Sequence, residues 1–201
     1  MKSVKNIVVL TLITVIAGFL LGYVYDITKE PIAQATEQAK QEAYRSVFAE
    51  AQSFKPVEGF DMEMVNMDLN NSGFSNVSVD EALEALDGSG NILGYVITVT
   101  SSEGYGGDVT LSMGIKTDGT INGVEFLSLS ETAGLGMNAD TPEFKSQFAG
   151  MNVTKVACVK TGKQNDYEID AISGATITSK AVTNAVNAGL GYFATLSGGA
   201  Q

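Results

Sequence analysis

From Ile7 to Val24 (IVVLTLITVIAGFLLGYV) the chain carries no charge, and Thr11 and Thr14 are the only conventional polar side chains. Coiled as a helix, a run of roughly 18 residues is just long enough to cross the hydrocarbon of a bilayer. Lys2 and Lys5 precede the run without an acidic neighbour, whereas Asp26, Lys29 and Glu30 follow it and nearly cancel. The excess of basic residues on the amino-terminal side predicts a cytoplasmic amino terminus and an extracytoplasmic remainder. A cleaved secretory signal also begins with lysines and an apolar stretch. Against cleavage, the run is longer than a usual signal core, and Tyr23 and Tyr25 lie where an interfacial aromatic belt would, with no small-x-small site beside them. The expectation is one uncleaved span in contact with the lipid bilayer, in a cell-membrane protein.

The remaining sequence is long enough for one domain with a core of its own. It contains no histidine, no tryptophan and a single cysteine, Cys158. One cysteine cannot hold an iron–sulfur cluster, and without histidine the common zinc, haem and catalytic-triad arrangements lack their usual parts. Redox chemistry here would need an organic cofactor. The formal charge of −11 makes nucleic acid an unsuitable partner.

Pro31 fits a first helical turn, and the Ala-, Glu-, Gln- and Lys-rich stretch after it predicts a juxtamembrane helix to about Ala51. Ile32, Ala35, Ala39, Ala43 and Val47 form its narrow apolar stripe, a surface for its own domain or for a partner. Lys55 to about Asp80 reads as an insertion or variable loop, most loop-like at LNNSGFSN. VDEALEAL fits either a short helix or an irregular strand. Two hairpin signals follow, one turning at the Asp-Gly of ALDGSGNILGYVITVTS and one at Thr-Asp-Gly-Thr of VTLSMGIKTDGTINGVEFLSLS. TPEFKSQFAG predicts a short helix capped by Thr141, MNVTKVACVKTG a strand with an inert, buried Cys158, and ATITSKAVTNAVNAGLGYFATL a final helix. The expected architecture is α+β, an antiparallel sheet packed by helices, with an anchor over 1–26, a juxtamembrane helix over 27–53 and a domain over 54–201.

The stretch IDAISGATITSKAV opens that final helix. Ser173 is placed to cap it, Gly174 and Ala175 leave the first turn uncrowded, and Thr176 and Thr178 present hydroxyls there. Unpaired N–H groups and the positive end of the helix dipole suit a phosphate near Thr176, although a plain capped helix start satisfies the same residues. Lys163 and Lys180 are candidates to balance phosphate charge or simply solvated lysines. Met113 and Met137 read as core or rim.

The full pattern Asp170-x-x-Ser173-Gly174-Ala175-Thr176 resembles the flavinylation motif of the FMN-binding domain family. SETAGLGM, Ser130 to Met137, is similar to the family's flavin-contacting segment, through Glu131, Thr132, Gly134, Leu135 and Gly136. Ala133 stands there for a proline, and Leu129 and Ser130 stand where a histidine is usual. GYGGDV, with Tyr105 and Gly106, is similar to the family's entry into a strand beside the flavin. The resemblance implies FMN held through a phosphoester to Thr176, placed there by a separate flavin transferase that cleaves FAD and releases AMP, with Asp170 helping to present or deprotonate the hydroxyl. Order and length resemble the G subunits of the Rnf complex most, and then the C subunits of the sodium-translocating NADH:quinone reductase. For this chain the likeness implies an electron-carrying, non-autonomous subunit of a membrane redox complex that couples ferredoxin and NAD chemistry to Na⁺ or H⁺ translocation. A stand-alone membrane-anchored flavoprotein reductase, and a non-redox sensor or structural anchor, are the readings from other classes.

Overall fold

The computed structural model describes residues 2–198, with side chains from Val4 onward. Met1 and residues 199–201, at the outer limits of the expected anchor and domain, lie outside the described residues. The chain divides into two compact units, one reaching Gln41 and the other beginning at Glu42.

The described residues of the first unit are all helical. Helix α1 runs without interruption from Lys2 to Val47, and its apolar residues from Val4 to Ile27 stand exposed, as the side chains of a span facing lipid would. Pro31 therefore does not begin a second helix. It lies inside α1, where a proline forfeits one backbone hydrogen bond to the preceding turn. The helix also stops at Val47, short of the expected Ala51.

In the second unit five strands form an antiparallel meander in the order β1-β2-β3-β4-β5: Ser53–Pro56, Val77–Leu86, Ile92–Ser101, Val109–Lys116 and Ile121–Leu129. Both expected hairpins are present. In the first, the Asp87 carboxylate accepts the N–H groups of Ser89 and Asn91 at 2.7 and 2.9 Å and so closes the turn itself. VDEALEAL is the irregular strand of its two readings, with register shifts against β3 between Val79 and Glu81 and between Ala85 and Leu86.

Residues 55–80 are not a loop. They complete β1, form helix α2 (Met62–Asn71) and enter β2. Asp61 caps α2 by accepting from Glu63 and Met64, while Leu69 is buried. Only turn residues were legible in the Asn-Asn-Ser-Gly tract, because a ten-residue helix with a partial apolar face gives a weak periodic signal.

Helix α4 (Thr176–Leu196) covers one face of the sheet. Its Ala181, Val182, Ala185, Val186 and Ala188 are buried in the main core with Ile97, Val99, Leu111, Met113 and Ile115. The opposite face receives the end of α1 and the residue after it: Tyr44, Val47 and Phe48 pack on Leu83, Ala85 and Val96. Ala43 and Val47 of the apolar stripe are thus buried on their own domain, while Ile32 is exposed. Between β5 and α4 lie a 3-10 turn (Gly136–Asp140), the short helix α3 (Pro142–Lys145) with Thr141 as its cap, and two three-residue parallel strands, β6 (Ala157–Val159) and β7 (Glu168–Asp170). Of the strand expected over MNVTKVACVKTG only Ala157–Val159 forms.

Gly94 and Gly123 test the docking of α1. A Cβ at Gly94 would stand 2.3 Å from the Ile115 carbonyl oxygen and 2.6 Å from the Phe48 ring, whereas one at Gly123 meets nothing within 4 Å. Gly94→Ala is expected to cost about 1–3 kcal/mol. That corresponds to a Tm lowered by several degrees in a thermal melt, with Gly123→Ala close to wild type.

Candidate flavin site

The segment that delivers Thr176 is fixed one backbone group at a time. The Ala171 N–H donates to the Val159 carbonyl at 2.7 Å, and the Ile172 N–H donates to the Ser179 hydroxyl at 2.9 Å. Ala175 N–H closes a turn on the Ile172 carbonyl at 3.0 Å, and Ser179 Oγ in turn donates to the Ala175 carbonyl at 2.9 Å. Gly174 sits inside this turn at φ +77°, a conformation suited to glycine.

Ser173 was expected to cap α4, and it does not. The cap position is Ala175, which offers no side-chain acceptor, and Ser173 is exposed two residues upstream. Gly174 after Ser173 sends the chain through a left-handed step, so the helix starts later than the Ser-x-x pattern implies. The consequence is chemical: the first turn of α4 keeps N–H groups that no capping side chain occupies, at the positive end of a 21-residue helix.

That helix start forms one wall of a cavity of about 530 Å³, to which Gly174, Ala175, Thr176, Ile177 and Thr178 contribute. Glu131, Thr132, Leu135 and Gly136 form a second wall and Tyr105 a third. The volume is in the range of small-molecule and cofactor sites. The two principal walls meet at Gly136, where a Cβ would be 2.7 Å from Glu131 Cβ, from Glu131 Oε2 and from Thr178 Oγ1. Only a residue without a side chain lets the carboxylate and the hydroxyl approach in this way. Across the turn, a Cβ at Gly174 would be 3.0 Å from Leu135. Glu131 also reaches the third wall, because its Oε1 accepts the Tyr105 N–H at 2.8 Å.

Of the residues singled out from the sequence, Tyr105, Glu131, Thr132, Leu135, Gly136, Gly174, Ala175, Thr176 and Thr178 line this one cavity. Gly134, Gly106, Ser173 and Asp170 are not among its lining residues. Gly106 packs under the rim, where a Cβ would be 2.1 Å from the Ser130 carbonyl oxygen. Asp170 is in β7, and its carboxylate accepts the Lys163 N–H at 2.7 Å. Ile177, which no sequence pattern singled out, is in the lining and about half exposed. Its position next to Thr176 in the first helical turn was the available signal.

The hydroxyls differ in access. Thr178 is 1% exposed, whereas Thr176 is partly open. Neither Lys163 nor Lys180 is in the lining, so compensation of an anion falls to the helix N–H groups. Cys158, expected to be buried, is only half-buried; that partial burial still pushes its thiol above the ordinary value, against a hydrogen bond with Thr183 and the nearby charge of Lys180, which suits an unreactive thiol. Below the second wall, Lys145 bridges Glu125 at 2.6 Å and Asp140 at 2.9 Å. Burial alone would lower the Lys145 pKa, but the hydrogen bonds and charges of the two carboxylates outweigh it and leave the pKa raised.

Small residues, a helix start free of capping side chains and a cavity of this size suit a phosphate-bearing organic cofactor. Comparison with known proteins points to the same class of cofactor. Residues 104–191, which include every residue of the cavity lining, match the model of a family described as FMN-binding domain. Over 96% of its length and 96% of the relative's, the chain is 33% identical to the G subunit of the ion-translocating oxidoreductase complex of Methanosarcina acetivorans. It is 31% identical to the G subunit of the Na(+)-translocating ferredoxin:NAD(+) oxidoreductase complex of Acetobacterium woodii, over 94% of this chain and 90% of that one. The chain belongs to the family of G subunits of ion-translocating oxidoreductase complexes, which is the Rnf G family that its motifs resemble. The crystal structure of NqrC from Shewanella oneidensis has the same fold, with a TM-score of 0.52 at 18% identity over 78% of this chain and 88% of that one.

The role of Glu131 in joining the walls is open to test. Glu131→Ala removes the acceptor of the Tyr105 N–H, and hydrogen exchange at that amide is expected to accelerate about tenfold. Glu131→Gln keeps an acceptor oxygen and should leave exchange nearly unchanged.

Proposed function

We propose that the chain is a membrane-anchored electron-carrying subunit in which FMN is esterified through its phosphate to Thr176 Oγ1. It relays electrons within a complex that couples ferredoxin and NAD redox chemistry to the translocation of Na⁺ or H⁺. The observation that carries the reading is the start of α4: Thr176 is its first residue, partly accessible, in a cavity wall, with no side chain capping the N–H groups around it. The names of the relatives support the assembly, since they describe parts of ion-translocating and ferredoxin:NAD(+) oxidoreductase complexes.

The phosphate would take the N–H groups of the first turn of α4, which favour negative charge through both hydrogen bonding and the helix dipole. Gly174 and Ala175 keep the approach to Thr176 open. Tyr105, Leu135 and Ile177 offer apolar surface for a flavin ring, with Glu131, Thr132 and Gly136 along one side. FMN supplies the electron chemistry when bound, and the protein supplies place, electrostatics and exclusion of water. In the attachment itself, a flavin transferase directs the Thr176 hydroxyl at the flavin-side phosphorus of FAD. The new Oγ1–P bond forms as the pyrophosphate bond breaks, AMP leaves, and the hydroxyl proton passes to a base. Asp170 does not serve as that base in this reading, because its carboxylate is engaged with Lys163 N–H and is not part of the cavity wall.

In the membrane, the chain up to about residue 26 forms the anchor with the amino terminus in the cytoplasm, α1 then leaves the bilayer, and the unit that begins at Glu42, earlier than the expected residue 54, forms the extracytoplasmic domain. The exposed apolar length of α1 supports the span, and Lys2 and Lys5 ahead of the apolar run support the orientation.

Co-expression of the full chain with a flavin transferase, followed by intact mass and in-gel fluorescence, tests the attachment. Wild type is expected to gain one FMN and Thr176→Val none. A colourless wild type, or a fluorescent Thr176→Val, would overturn the reading.

A further inference from the structure

Gln147 belongs to none of the motifs of the site, yet its side chain holds the segment from which Thr176 is presented. Gln147 Oε1 accepts the Asp170 N–H at 2.7 Å, and Gln147 Nε2 donates to the Asp170 carbonyl at 3.3 Å. One carboxamide therefore satisfies both backbone groups of the same residue, as a neighbouring strand would. Asp170 is the last residue of β7, paired with Val159 of β6 on its other side. From there the chain has only five residues to reach Ala175, and three of them are held by hydrogen bonds: Ala171 to Val159, Ile172 to Ser179 and Ala175 to Ile172.

Gln147 is also tied to the opposite wall of the cavity. It follows α3, which is capped by Thr141 and anchored by Lys145 to Glu125 of β5 and to Asp140 at the end of the 3-10 turn. Phe148, next to Gln147, is fully buried in the main core. A side chain from the segment that follows the 3-10 turn and α3 thus grips the strand that feeds the Thr176 wall. The contact adds a second tie between these segments, beside the close approach of the two walls at Gly136.

We propose that Gln147 is a positioning residue for flavin attachment: it sets the place of the Thr176 hydroxyl relative to the Leu135–Gly136 wall through its two hydrogen bonds to Asp170. The inference rests on the flavin reading above. It also gives Asp170 a physical role as the point at which the attachment segment is gripped, by Gln147 on its backbone and by Lys163 N–H on its carboxylate. A displacement of about an ångström at a reacting atom is enough to slow a group transfer by roughly two orders of magnitude without unfolding the protein.

The test uses the full chain purified in detergent without flavin, given FAD and a purified flavin transferase, with FMN incorporation followed at several concentrations of the chain. Gln147→Leu, which removes both hydrogen bonds at similar volume, is expected to lower the saturating rate at least tenfold, with KM for the chain within about twofold of wild type. Hydrogen exchange across residues 170–176 should accelerate in the same variant. Gln147→Glu adds a signature that lost stability alone would not produce. As a carboxylate it can accept from the Asp170 N–H but repels the carbonyl, whereas protonated it can both accept and donate. Its rate relative to wild type is therefore expected to recover as pH falls through the carboxyl range.

Three results decide the matter. If wild type takes up FMN and Gln147→Leu does so equally fast, this inference fails and the flavin reading stands. A wild type that stays unmodified overturns both. If Gln147→Leu is slow only in proportion to a lowered Tm, and Gln147→Glu shows no recovery with pH, the residue is merely structural and the proposal is wrong.

Discussion

The site depends on how α4 begins. A helix of 21 residues concentrates partial positive charge and free N–H groups at its start, and most helices spend these on a capping side chain. Here the cap position is an alanine, and the stabilising hydroxyl comes from inside the helix: Ser179 accepts from Ile172 and donates to Ala175, holding the preceding turn rather than the N–H groups of the first helical residues. The turn is secured and the helix end is left available to an anion. Everything else at the site, from the small residues before Thr176 to the second wall at Gly136, arranges space around that end.

The two faces of the sheet divide the remaining work. One face is closed by α4, so that the helix bearing Thr176 is anchored along its length by a fully buried apolar core. The other takes the end of α1 and the residue after it through Tyr44, Val47 and Phe48, with the Tyr44 hydroxyl on Glu81 at 2.6 Å and Ser46 on Glu125 at 3.0 Å. Glu125 is also a partner of Lys145, so one carboxylate of β5 is shared between the end of the membrane-proximal helix and the base of the cavity wall. An electron carrier benefits from such a frame, since transfer depends on fixed distances more than on flexible recognition.

Local chemistry was legible in the sequence where one residue decides it: the apolar run of α1, the two hairpin turns, Thr141 at the start of α3, and the gathering of Glu131, Gly136 and Thr176 through a family pattern. What could not be read was set by tertiary context. Asp61 and the ten residues of α2 looked like part of a loop because an exposed helix with few apolar anchors carries little periodicity. Ser173 looked like a cap because composition does not reveal that Gly174 bends the chain before the helix starts. Gln147 gave no signal at all, since its partners are backbone groups that lie 23 positions away in sequence. Pro31 was read by its usual preference, but the helix continues through it, a case in which the propensity of the flanking residues outweighs one lost hydrogen bond.

The proposed attachment predicts that the native chain carries its flavin on Thr176. The chain isolated from its own membranes and cleaved after lysine gives a fragment, residues 164–180, that contains Ser173, Thr176 and Thr178 together. Tandem mass spectrometry of that fragment locates any adduct. One FMN phosphoester on Thr176 is expected in most of the material. An unmodified fragment, or a flavin carried on Ser173 or Thr178, would contradict the assignment.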